Sequence, residues 1–180
     1  MRAITALLFT LLTGCSALSE QQCRVGDWYT LGYQDGVNGK GKERLASYRE
    51  ACSEYGVVPD PARWQSGYDK GLAYYCLPEL AYAKGKSGEE YHGVCPNDAS
   101  FLANYQRGRR EYQIQQAFDE LRNRLDRLYE ERDRLWRNYR HTDDEAARRE
   151  LRYRLDRLDW MEMDLRHQLL DVQRLRLQLK

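Results

Sequence analysis

"ELRNRLDRL", Glu120 to Leu128, returns as "ELRYRLDRL", Glu150 to Leu158, with a single difference, Asn123 against Tyr153. Around the first copy, apolar residues fall at Ile114, Phe118, Leu121, Leu125, Leu128, Leu135 and Tyr139, with Arg132 breaking the series. Around the second they fall at Leu151, Leu155, Leu158, Leu165, Leu169, Val172 and Leu179, broken by Glu162 and Arg176. Alternating steps of four and three place each series along one narrow helical stripe, a heptad seam that must be buried against a partner. The remaining surface is Arg, Asp and Glu, and no glycine or proline occurs from Arg109 to Lys180. Steps of seven from Tyr139 reach Ala146 and Tyr153, not Leu151, so the two seams are out of phase. Thr142 with Glu145 three residues on also reads as a capping box. The expectation for residues 109–180 is therefore two helices folded back as an antiparallel coiled-coil hairpin, each roughly 45 to 60 Å long at about 1.5 Å per residue. The alternative is one continuous rod pairing in parallel with a second copy.

Residues 23–108 follow another grammar. Twelve of the thirteen glycines and all four prolines lie between Gly26 and Gly108. "WYTLGYQDG", Trp28 to Gly36, is echoed by "WQSGYDKG", Trp64 to Gly71. Asp60-Pro61 supplies an N-cap and a first helical residue, because proline lacks only an amide hydrogen that a first turn leaves unpaired. Trp64, Tyr68, Leu72 and Tyr75 then recur at helical spacing. Gly32 with Gly36, and Gly67 with Gly71, share one face of their helices. Each glycine costs a helix about 1 kcal/mol against alanine, so a close packing partner is expected. Leu45, Tyr48, Cys52 and Tyr55 mark a further short helix ended by Gly56, while Val57–Asp60 and Lys84–Asn97 read as loops.

The amino end, "ALLFTLLTGCSAL" from Ala6 to Leu18, follows Met1 and Arg2 with an apolar run about half the roughly 20 residues that cross a bilayer. That is the layout of a cleaved signal peptide. Leu12-Thr13-Gly14-Cys15 resembles the lipobox of bacterial lipoproteins. The resemblance implies that residues 1–14 are removed and that Cys15 carries a diacylglycerol and an N-acyl chain such as palmitate. Several acyl chains hold a membrane durably where one is marginal. Ser16, rather than Asp, implies an outer-membrane, periplasm-facing location. Residues 15–22 form the linker. With Arg2 gone, 28 Lys+Arg balance 28 Asp+Glu. A neutral chain lacks the field that drives nonspecific nucleic-acid binding.

Cys23, Cys52, Cys76 and Cys95 remain, an even set in an exported chain, and they lack the close Cys-x-x-Cys pairs of a zinc site. Two disulfides are expected, in any of three connectivities, with Cys23–Cys52 and Cys76–Cys95 as the working choice. No metal or other cofactor is expected. His92, His141 and His167 stand singly, outside any nucleophile or metal motif. Asp35 and Asp69 could serve glycan hydrolysis only if brought together at a suitable separation.

Cys23, Trp28, Gly32-Tyr-Gln-Asp-Gly36, Cys52, Gly67 and Gly71 with Tyr75-Cys76, Tyr91-His-Gly-Val-Cys95-Pro96 and Tyr105-Gln-Arg-Gly108 together resemble the family called domain of unknown function 2799. That family comprises small lipoproteins of Gram-negative bacteria. The resemblance covers about Cys23 to Gly108; it supports export and disulfides and brings no activity. The expected fold is mainly α: a disulfide-stapled helical domain at 23–108 followed by the hairpin at 109–180. The expected role is a noncatalytic scaffold or adaptor, engaging an envelope protein or a second copy through residues 109–180. The alternative is binding of peptidoglycan or another periplasmic glycan by stacking on Trp28, Tyr33, Trp64 and Tyr68.

Overall fold

The computed structural model describes residues 18–96 and 99–178. The lipobox and Cys15 lie outside the described residues. Within them the elements are α1 (Glu20–Val25), α2 (Trp28–Val37), α3 (Arg44–Ser53), α4 (Pro61–Tyr75), α5 (Pro78–Ser87), α6 (Ala99–His141) and α7 (Glu145–Gln178). Lys84 to Ser87, expected in a loop, are the last turn of α5. The single glycine at Gly85 does not stop that helix, because it sits against a neighbouring helix.

Two compact units form. One holds α1 to α4 with the Tyr91–Pro96 segment; the other holds Pro78–Glu90 and the chain from Asn97 on, hence α5, α6 and α7. In the first unit Asp60 caps α4 by accepting from the amides of Ala62 and Arg63, as the Asp-Pro pair predicts. The disulfides are Cys23–Cys52 and Cys76–Cys95. Closing a loop between partners 29 residues apart stabilises a small core by about 3–4 kcal/mol in the chain-entropy model.

The glycine pairs of α2 and α4 face each other. A Cβ on Gly32 would lie 2.0 Å from the Trp64 carbonyl oxygen, and one on Gly67 would lie 2.0 Å from that of Tyr29. One turn later Gly36 meets the carbonyl of Tyr68 and Gly71 meets that of Tyr33, each 2.3 Å from the added atom. The register advances together along both helices, so α2 and α4 run in the same direction with backbones in contact. Carbonyls facing glycine Cα–H groups supply weak polar contacts that recur at such crossings.

The second unit repeats this device. Gly85 meets the carbonyl of Tyr105 and Gly108 meets that of Tyr82, at 2.1 Å in both cases. The ends match as well. Gly39 after α2 and Gly88 after α5 have positive φ (61° and 83°), and a Cβ on either would strike a ring, that of Tyr75 or of Tyr112. The amides of Lys40 and Glu89 bond back to the carbonyls of Asp35 and Lys84, closing the same glycine-centred helix stop. Tyr68 donates to the Lys40 carbonyl at 2.8 Å, and Tyr105 donates to the Glu89 carbonyl at 2.7 Å. Trp64 stacks on Tyr68 as Phe101 stacks on Tyr105. The helix pairs α2–α4 and α5–α6 are thus two copies of one module, each with a cysteine ahead of both of its helices.

From Gly108, α6 continues without a break into the hairpin and pairs antiparallel with α7. Leu121, Leu128, Leu135, Leu155, Leu158 and Leu165 form the buried seam, flanked by Leu125, Tyr129, Leu151, Leu169 and Val172. The chain turns at 142–144 as the phase break predicts. Asp144, not Thr142, caps α7, its carboxylate accepting from the Ala146 amide at 3.0 Å. Asp144 stands directly before the first turn, where a negative group also meets the positive end of the helix.

Candidate interaction surface

Three places collect chemistry-bearing side chains: a buried carboxylate in the first unit, a cleft at the base of the hairpin, and the outward face of α7.

Asp35 is 6% exposed and accepts from Trp64 Nε1 at 3.0 Å and from Tyr48 Oη at 2.9 Å. Arg44 approaches the same carboxylate to 3.7 Å, donates to Tyr48 Oη at 3.2 Å and lies over the Tyr48 ring. Burial, with the negative charge of Asp35 beside it, holds the Tyr48 phenol above its ordinary range; burial does the same for Tyr68. The second module has Phe101 where the first has Trp64, and Lys84 where it has Asp35. A ring without an N–H needs no buried acceptor. Asp35 therefore fastens the core. Asp69, on the exposed side of α4, accepts from Gln65 instead, so the two aspartates occupy different environments.

Trp28, Trp64 and Tyr68 are also core residues, and Trp64 and Tyr68 are spent on each other with ring centres 4.7 Å apart. Of the four rings expected to stack on a glycan, Tyr33 alone is exposed. The reason is the glycine register: close approach of α2 to α4 turns the large neighbours of Gly67 and Gly71 inward.

At the hairpin base a shallow cleft of about 440 Å³ lies among Tyr82, Lys86, Glu111, Tyr112 and Arg176. Glu111 accepts from Tyr82 Oη at 2.7 Å and pairs with Lys86 at 3.1 Å. Those two donors, Tyr82 first, lower its pKa; Glu111 foremost raises that of Lys86. The charges of Glu111 and Lys86 thus satisfy each other. His92 is exposed, His141 Nδ1 lies 2.7 Å from the Arg137 carbonyl and His167 lies 3.4 Å from Asp171. Among the described residues no group of three His, Cys, Asp or Glu is placed to hold a metal ion, and no helix is long and apolar enough to cross a membrane.

The three polar seam positions find partners inside the hairpin. Arg132 Nη1 lies 2.6 Å from Glu162 Oε2, Glu162 Oε1 accepts from Tyr129 Oη at 3.2 Å and pairs with Arg166, and Arg176 covers the Phe118 ring. A seam so filled leaves no room for a second protein. Outward of it, α7 carries another stripe. Tyr153, Trp160, Met163, Leu170 and Leu177 are all exposed, Trp160 at 73% and Met163 at 62%. Positions 153, 160, 167 and 174 repeat every seven residues, as do 156, 163, 170 and 177. Together they form a second heptad stripe on the face away from Leu155, Leu158 and Leu165. The sequence held this signal, but the stronger leucine series masked it.

Comparison with known proteins places the modules and leaves the stripe open. Residues 27–110 match the family described as "Protein of unknown function (DUF2799)". A stretch of 97 residues, 52% of this chain and 75% of the relative, is 25% identical to the uncharacterized protein YfiL of Escherichia coli (strain K12). No solved structure matches the chain significantly. The family match begins one residue before α2 and ends two residues after Gly108, so it spans both glycine-paired modules. Residues 27–110 are thus similar to the DUF2799 family over both copies of the glycine-paired module, and the coiled-coil hairpin extends beyond the match.

Proposed function

We propose that this chain is an outer-membrane lipoprotein, held by acyl chains on Cys15 and facing the periplasm, that acts without catalysis as a scaffold or adaptor through its helical hairpin. The observation that carries the reading is the exposed stripe of Tyr153, Trp160, Met163, Leu170 and Leu177 on α7. Large apolar side chains aligned along one outward helix face are the material of a helix-docking surface. The inner seam does not serve, because α6 already covers it. Two disulfides fit an oxidising compartment, and the lipobox resemblance supplies the anchor. The noncatalytic part is supported by Asp35, the one buried carboxylate among the described residues, being committed to Trp64 and Tyr48.

The test pairs mass spectrometry of Cys15 with crosslinking and affinity capture from native membranes. Lipid on Cys15 is expected, together with neighbours captured by the wild-type chain and lost from Trp160→Glu/Leu170→Glu while helix content stays unchanged. An unmodified Cys15 overturns the anchoring. An unchanged set of neighbours overturns docking through the stripe.

A further inference from the structure

The charges along the outer stripe of α7 identify its occupant. We propose that the stripe docks on the same stripe of a second copy of this chain, with the two α7 helices antiparallel about a two-fold axis beside Leu165. This rests on the docking role given to the stripe above and adds the partner.

With the axis there, Tyr153 faces Leu177, Trp160 faces Leu170 and Met163 faces His167, so each bulky ring of one copy meets an aliphatic or smaller side chain of the other. Asp156 and Arg174, the two charged positions in the stripe, then face each other. Beside them, Arg157 of one copy comes alongside Asp171 of the other. All eight stripe positions from 153 to 177 are partnered in this register. A shift of seven residues either way breaks the pattern: one direction sets Arg174 against Arg149, the other sets Met163 against Arg174. A parallel pair would oppose Asp156 to Asp156 and Arg174 to Arg174. Polar residues inside a heptad stripe select orientation and register in this manner, and the sequence of α7 is complementary to its own reverse.

The experiment uses the full chain in membranes and in detergent. A photoreactive amino acid is placed at position 163 in the envelope, and the mass of the purified protein is followed by sedimentation over a range of concentrations. A crosslinked product of two copies is expected, with a concentration-dependent dimer. Trp160→Glu should weaken that dimer by about tenfold or more. Asp156→Arg and Arg174→Asp should each weaken it, and the double variant Asp156→Arg/Arg174→Asp should regain most of the loss. All three substituted residues are exposed, so unchanged helix content verifies that each variant is folded. A dimer indifferent to Trp160→Glu, or a double variant no better than the singles, overturns the antiparallel pairing. A monomer whose position 163 crosslinks to a different protein overturns self-association and leaves the docking role standing. A monomer with no protein crosslink, or one crosslinked to lipid alone, overturns both.

Discussion

At the scale of single residues, the feature that organises this chain is a tyrosine or tryptophan three places before a glycine. Tyr29, Tyr33, Trp64, Tyr68, Tyr82 and Tyr105 each point a backbone carbonyl at a glycine of the facing helix. The rings of Trp64, Tyr68 and Tyr105 fill the core, while in all six cases the glycine three residues on admits the neighbouring backbone. Gly85→Ala should lower stability by about 2–3 kcal/mol, because its Cβ would come 2.1 Å from a carbonyl oxygen that cannot swing away. Gly56→Ala, with open space around it, should lose only about 1 kcal/mol to its positive φ. Urea unfolding of both variants checks the contrast.

The buried phenols make a second residue-scale prediction. Burial raises the pKa of Tyr48 and Tyr68 above the ordinary 10.0, so the folded state holds these protons where the unfolded chain releases them. Their contribution is complete below pH 10 and is lost as pH rises through the raised values. The urea midpoint should therefore fall above about pH 10, and less steeply in Tyr48→Phe, which has one fewer phenol to ionise. An equal slope in the variant would show that Tyr48 is not part of that alkaline loss.

At the scale of elements, the hairpin depends on one polar contact within a leucine seam. Glu162 is largely covered and binds Arg132, Arg166 and Tyr129. Removing it in Glu162→Ala leaves Arg132 beside the seam without its carboxylate, and the hairpin should lose about 2–3 kcal/mol. Arg132→Leu/Glu162→Leu should restore or exceed wild-type stability while loosening the α6–α7 register. Thermal unfolding, with a disulfide trap between engineered cysteines on α6 and α7, reads both. A fully exposed pair such as Arg149 with Glu145 should give little in the same assay.

At the scale of the whole molecule, the sequence shows a glycine-rich half and a glycine-free half meeting near residue 108, and α6 passes straight through that point. Composition marks what each stretch packs against rather than where helices end. The short helix α5, missed as a loop at its carboxyl end, is recognisable once Tyr82-Ala-Lys-Gly85 is set beside Tyr33-Gln-Asp-Gly36. Duplication of the module also gives a reason for the disulfide pattern, since each bridge joins the two cysteines that precede the two helices of one copy.

Local periodicity determined the hairpin, its turn and its leucine seam, because a heptad stripe is written in the spacing of neighbours along one helix. The echo of Trp28–Gly36 in Trp64–Gly71 likewise foretold a close glycine-mediated crossing. Tertiary structure alone decided that Arg132 and Glu162 satisfy each other, that Trp28, Trp64 and Tyr68 are core rings, and that Asp35 is the acceptor for an indole. Those outcomes depend on distances between residues about 30 positions apart in the chain. Only the approach of one helix to another sets such distances, and no spacing along a single helix records them.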